Sequence, residues 1–141
     1  MQLVVLGLNH KTVPVDIREQ FAISPDSARS GLIHLDEQEG IEEAVVLSTC
    51  NRTEIYAVLK DETAKETLYD FFLALSGNSE AKDEYFFYFE GEACIRHLFE
   101  VVSGLDSMVI GESQILNQIK TAYTMALEEK ATRTILNTLF H

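Results

Sequence analysis

Cys50 sits in the segment Thr49-Cys50-Asn51-Arg52, a thiol among three polar side chains. A free thiol with a pKa of about 8.5 is only a few per cent thiolate at neutral pH, and a nearby cation raises that fraction. Arg52, two residues on, is such a cation, and the combination reads as a nucleophile. The competing reading is a small buried apolar residue, the ordinary fate of an intracellular cysteine. Polar neighbours on both sides are poor company for that role. Cys94 falls among apolar residues at helical spacing and reads as core. His97 lies three residues later on the flank of the same stripe. It is either a core histidine with satisfied ring nitrogens or a proton donor and acceptor, since imidazole titrates near neutral pH.

A second concentration of polar groups lies in residues 105–120, LDSMVIGESQILNQIK. Singly, each residue has a bland account. Glu112 and Ser113 cap a helix, Ser107 belongs to a turn, and Gln114 and Gln118 share one solvated face four residues apart. Their crowding beside a glycine-flanked turn is what that account leaves unexplained. Other chemistries are poorly supplied. Cys50 and Cys94 have no CxxC spacing, and His10, His34, His97 and His141 are scattered, so no zinc set is expected. Neither GxGxxG nor GxxxxGK[ST] occurs, so the usual phosphate cradles are missing.

These residues need elements to hold them. Residues 2–9 are apolar and β-rich, a buried strand, and a short helix follows over 15–21. Ser24-Pro25-Asp26 is a helix start: a capping hydroxyl, proline at the first helical position, then an acid. Ala28, Leu32 and Leu35 continue it to a stop at Gly40. Residues 43–48 form a second strand. Residues 53–59 form a third, with Ile55, Ala57 and Leu59 on one side and Glu54, Tyr56 and Val58 on the other. Cys50 therefore rides a short loop between two core strands, rigidly held yet reachable. Asp61 opens a helix with the stripe Ala64, Leu68, Phe71, Leu75. Residues 85–89 are a fourth strand, and 90–103 a helix carrying Cys94, Leu98, Val101 and Val102. From Glu112 the stripe Ile115, Ile119, Ala122, Ala126 marks a long helix. The order predicts an α+β, ferredoxin-like fold: a four-stranded, mainly antiparallel sheet with helices packed on one face, followed by the start of a long helix.

At 141 residues and 46% hydrophobic composition the chain has material for one domain with a proper core. The apolar run Ile135, Leu136, Leu139, Phe140 meets no stop signal, so further domains are expected beyond residue 141. A net charge of −12 argues against general binding to nucleic acid or anionic membrane, though not against a polyanionic substrate gripped by a few local cations. The apolar start MQLVVLGL is too short for a signal or membrane segment, and a reducing cytoplasm is the expected setting.

Three stretches together resemble the N-terminal catalytic domain of glutamyl-tRNA reductase. They are Gly7-Leu8-Asn9-His10-Lys11-Thr12 through Ile17-Arg18-Glu19, Ser48-Thr49-Cys50-Asn51-Arg52-Thr53-Glu54, and the run from His97 to Lys120. The resemblance implies that Cys50 attacks the ester joining glutamate to the 3′ end of its tRNA. The resulting glutamyl thioester is then reduced with NADPH to glutamate-1-semialdehyde, the entry to tetrapyrrole and heme synthesis. It implies that His97 is important for activity and that Thr49, Asn51, Arg52, Ser107, Glu112, Ser113, Gln114 and Gln118 line the glutamate pocket. The NADPH-binding and dimerisation domains are then expected beyond this chain, giving a homodimer, with glutamate-1-semialdehyde aminomutase as a further partner. Within the pocket, esterification leaves the side-chain carboxylate as the substrate's free acid. Arg52 meets it in a bidentate pair that rejects a glutamine ester, while Glu112 faces the ammonium directly or through water. Two other readings stand beside this one: a cysteine-dependent esterase using Cys50 and His97, and a non-catalytic ferredoxin-like binding domain with a structural Cys50.

Overall fold

The computed structural model describes residues 1–78, 82–103 and 114–140. Strands β1 (Gln2–Asn9), β2 (Ile41–Ser48), β3 (Arg52–Leu59) and β4 (Phe87–Glu90) form one sheet in the order β2-β3-β1-β4. All three pairings are antiparallel. Helices α1 (Val15–Gln20) and α2 (Pro25–Ile33) carry the chain from β1 over to β2, leaving a gap that β3 fills by returning through the Cys50 hairpin. Helix α3 (Lys65–Ser76) makes the matching crossover to β4. This is the split βαβ arrangement expected of the ferredoxin-like pattern.

Local signals account for the element ends. The Ser24 hydroxyl accepts the Ser27 N–H, and Pro25 takes the first helical turn, where its missing N–H costs nothing. The α2 helix itself stops at Ile33, and a 3-10 turn over Leu35–Glu37 carries the chain to Gly40. Asp61 caps a 3-10 turn that leads into α3, and Gly77, at φ +72°, ends α3 in the left-handed conformation.

The four-stranded antiparallel sheet with packed helices is the expected α+β architecture, and helices also reach its second face. All eight residues of β3 are buried. The Val46 and Ser48 side borders α2, with the Ile23 N–H donating to the Ser48 hydroxyl at 3.1 Å. The opposite side, carrying Arg52, Glu54 and Tyr56, lies under α4 (Glu92–Val102) and α6 (Thr134–Phe140): His97 reaches Glu54, and Phe140 stacks edge-on against Tyr56. Polar residues at alternate strand positions imitate a solvent face. Here they are buried because they satisfy one another.

Helix α5 (Gln114–Glu128) runs beside the edge strand β2, burying Ile115, Ile119 and Ala126. Beyond it the Ala44 N–H donates to the Ala131 carbonyl, and the buried Glu43 carboxylate accepts the N–H groups of Arg133 and Leu136. That carboxylate satisfies donors at the start of α6 and complements its dipole. The sheet edge is thereby covered. Among the described residues no helix is long and apolar enough to cross a membrane.

Candidate active site

The hairpin between β2 and β3 is closed by its own side chains. The Thr49 N–H donates to the Arg52 carbonyl at 2.7 Å, while the Thr49 hydroxyl accepts the N–H groups of Asn51 (3.1 Å) and Arg52 (3.2 Å). A second brace comes from α1. The Arg18 guanidinium, buried against the domain, donates to the Val13 carbonyl at 2.9 Å and to the Cys50 carbonyl at 3.4 Å. Cys50 is thus exposed at the tip of a turn whose backbone is held from both sides. Thr49 and Asn51 are half-buried beside it.

Directly beneath lies a buried polar cluster centred on Glu54. Its Oε2 accepts from Arg52 Nη1 at 3.0 Å and lies 2.8 Å from His97 Nε2, and its Oε1 accepts the Tyr56 hydroxyl at 2.8 Å. Arg52, Glu54 and Tyr56 are each no more than 1% exposed. Arg52 and Glu54 are two residues apart on one strand, so alternation alone puts them on the same face. An ionised carboxylate only accepts, so in this contact His97 donates from Nε2. Burial and then the negative charge of Glu54 push the Tyr56 phenol well above its usual range. The room for Glu54 comes from Gly7 on the neighbouring strand. A Cβ there would fall 2.8 Å from Glu54 Cγ, 2.8 Å from the Thr53 carbonyl and 2.9 Å from the Phe87 ring.

His97 is 5% exposed and wedged against the rings of Phe87 and Phe89, at 4.8 and 5.3 Å between centroids. It is a satisfied, largely buried ring, and it borders a cleft of about 370 Å³ lined by Asn9, Lys11, Phe89, Ala93 and Arg96 among others. Cys94 is fully buried in α4, and burial followed by the charge of Glu54 pushes its thiol up to about 12. Its position in the apolar stripe matches that burial, which disfavours the thiolate.

Thr49, Cys50, Asn51 and Arg52 form the hairpin, and His97 joins them through Glu54. Gln114 and Gln118 are both exposed on α5, and Gln118 shares a groove with Ser48, two residues from Cys50. Ser107, Glu112 and Ser113 lie outside the described residues. Three further residues contribute to the site: Glu54, Arg18 and Gly7. All three fall within the stretches that carry the resemblance; their physical signals are an acid in a strand otherwise buried along its length, an arginine on a short helix, and a glycine inside a strand. Among the described residues no group of three or more His, Cys, Asp or Glu is placed to hold a metal.

The family described as "Glutamyl-tRNAGlu reductase, N-terminal domain" matches residues 6–141. A glutamyl-tRNA reductase of Rubrobacter xylanophilus is 46% identical over 144 residues, covering 100% of this chain and 33% of the relative. One from an Exiguobacterium species is 48% identical over 142 residues, covering 99% and 32%. The solved structure of glutamyl-tRNA reductase from Methanopyrus kandleri superposes with a TM-score of 0.78 at 30% identity, over 98% of this chain and 31% of that one. The chain spans about a third of the length of each of these relatives.

Proposed function

The chain belongs to the family of glutamyl-tRNA reductase N-terminal domains, and from that premise we propose that Cys50 takes the glutamyl group from glutamyl-tRNA as a thioester. The observation that carries the reading is the exposed Cys50 on a doubly braced turn, two residues from a buried Arg52–Glu54–His97 cluster. A structural cysteine would be expected in the core, where Cys94 is.

The first half-reaction is acyl transfer. The Cys50 thiolate adds to the ester carbonyl, and the tetrahedral adduct collapses by breaking the bond to the ribose oxygen. The tRNA leaves as its 3′ hydroxyl after gaining a proton, and the glutamyl group stays on sulfur. His97 is suited to manage that proton because Glu54 fixes its ring and tautomer. Arg52 meets the substrate's side-chain carboxylate. Glu54 holds Nη1 and so sets the plane in which the guanidinium presents its donors. Thr49, Asn51, Ser107, Glu112, Ser113, Gln114 and Gln118 complete the pocket in this reading.

NADPH does not fit the residues described here. Among the described residues the sheet pairs only antiparallel, and no glycine-rich turn from a parallel strand opens a helix in the manner of a dinucleotide site. The cofactor belongs in this proposal to the remainder of a longer, homodimeric enzyme, where it supplies hydride for release of glutamate-1-semialdehyde. This chain alone is then an acyl acceptor and at most a slow esterase, with water taking the acyl group. Mixing it with glutamyl-tRNA should give a glutamyl adduct on Cys50 by mass spectrometry. Cys50→Ser should abolish that adduct and Cys94→Ser should not. Semialdehyde made by the purified chain with NADPH would overturn the division of labour, and an unmodified Cys50 would overturn the reading itself.

A further inference from the structure

The cleft beside His97 has contents that acyl transfer at Cys50 does not use. Phe87 and Phe89 point to the same face of β4, with their rings stacked at 5.2 Å between centroids and an interplanar angle of 26°. The cleft takes in both rings, with Ala93, Arg96, His97 and Glu100 from α4, Asn9 from the end of β1, and Lys11 and Thr12 from the turn after it. Two cations, Lys11 from the turn after β1 and Arg96 from α4, stand out in a chain with only 11 basic residues against 23 acidic ones. A volume of about 370 Å³ is of the order that small-ligand sites occupy. An aromatic floor with cations at the rim is the arrangement that takes a nucleobase by stacking and its phosphate by charge.

Position relates this cleft to the nucleophile. Asn9, on its wall, pairs across the sheet with Arg52, and Phe87 pairs with Gly7, the partner of Glu54. The cleft therefore opens at the same end of the sheet as the Cys50 hairpin. Strands β3 and β4 are two spacings apart, about 10 Å. An ester on the terminal ribose separates the scissile carbonyl from its base by little more than the sugar. We propose that this cleft is the subsite for the 3′-terminal nucleotide of the aminoacylated RNA, with Phe87 and Phe89 as the base platform and Lys11 and Arg96 facing the phosphate. His97 then stands between base and carbonyl, next to the ribose oxygen that leaves. The proposal deepens the acyl-transfer reading and rests on it.

Two variants on the exposed face of α4 test it without touching the buried cluster. Ala93→Phe fills the cleft and Arg96→Glu reverses its charge; both side chains are exposed. The probes are a short single-stranded RNA ending in CCA, the same RNA charged with glutamate, and a glutamate α-ester lacking any nucleotide. The CCA probe should bind the unaltered chain, and Ala93→Phe should weaken it about tenfold or more. Arg96→Glu should weaken it and flatten its salt dependence by about one charge. Acylation of Cys50 by the charged RNA should fall in parallel, while acylation by the plain α-ester should stay unchanged. Equal CCA binding by all three proteins, or no binding to the unaltered chain, would overturn the subsite whatever Cys50 does. Equal loss with both acyl donors would overturn it too, because the variants would then be disturbing the hairpin. An intact CCA response with an unreactive Cys50 would leave the subsite standing and sink the acyl-transfer reading.

Discussion

Glu54→Gln is the sharpest probe of the buried cluster, because it removes one charge and almost no volume. The amide can keep every hydrogen bond. Its oxygen faces Arg52 Nη1 and His97 Nε2, and its NH₂ donates to the Tyr56 hydroxyl, which rotates to accept. What disappears is charge assistance. Hydrogen bonds to charged groups contribute about 1.5–3 kcal/mol against about 1 for neutral ones, and three converge here. Arg52 also loses a buried counter-charge 3.0 Å away, where breaking such a pair costs about 3–5 kcal/mol. With the hydrogen-bond pattern retained, the expected loss is about 2–4 kcal/mol, or roughly 7–14 °C in Tm for a domain of this size. Urea titration followed by circular dichroism measures it, with Tyr56→Phe as the control that removes one hydroxyl and no formal charge. Cys50 acylation should fall as well, since Glu54 orients both the guanidinium and the imidazole. If Glu54→Gln costs no more stability than Tyr56→Phe, the carboxylate is not the charged centre of the cluster, and the reasoning fails.

The two thiols should separate cleanly on alkylation. At pH 8 a thiol with its pKa pushed to about 12 is ionised in about one molecule in ten thousand, and Cys94 is fully buried besides. Peptide mapping after brief iodoacetamide treatment should find label on Cys50 and none on Cys94; comparable labelling would mean that α4 opens readily. Stability should fall as pH climbs from about 9 towards 12. Cys94, Tyr56 and Tyr88 all stay protonated in the fold after the unfolded chain has begun to ionise, so the unfolded state binds fewer protons and each group adds a negative slope of up to about 1.4 kcal/mol per pH unit. A Cys94→Ala chain whose slope matches the parent over that window would refute the assignment to this thiol. Gly7→Ala should destabilise by about 1–3 kcal/mol, because its methyl meets Glu54, the Thr53 carbonyl and Phe87 below 3 Å. Thermal unfolding unchanged by that methyl would mean that the strands part more easily than their packing implies.

Much of this protein is legible one residue at a time. Ser24-Pro25 dictates a helix start, since a hydroxyl satisfies an orphan N–H and proline has none to satisfy. Alternation along 53–59 sets the two faces of β3, and polar neighbours argue that Cys50 stays out of the core, where Cys94 lies. Those are local facts: caps, turns and periods act within a few residues. The partners of Glu54 are not local in the same sense. Arg52 and Tyr56 share its strand, but His97 is 43 residues away and Gly7 stands on a different strand. From the sequence, Arg52, Glu54 and Tyr56 look like a strand's wet side, and only the arrival of α4 and α6 makes that side interior. Arg18 likewise becomes a brace for Cys50 only when α1 docks beside the hairpin. A burial pattern belongs to the assembled layers rather than to the strand, because whether a charge costs or stabilises depends on what closes over it.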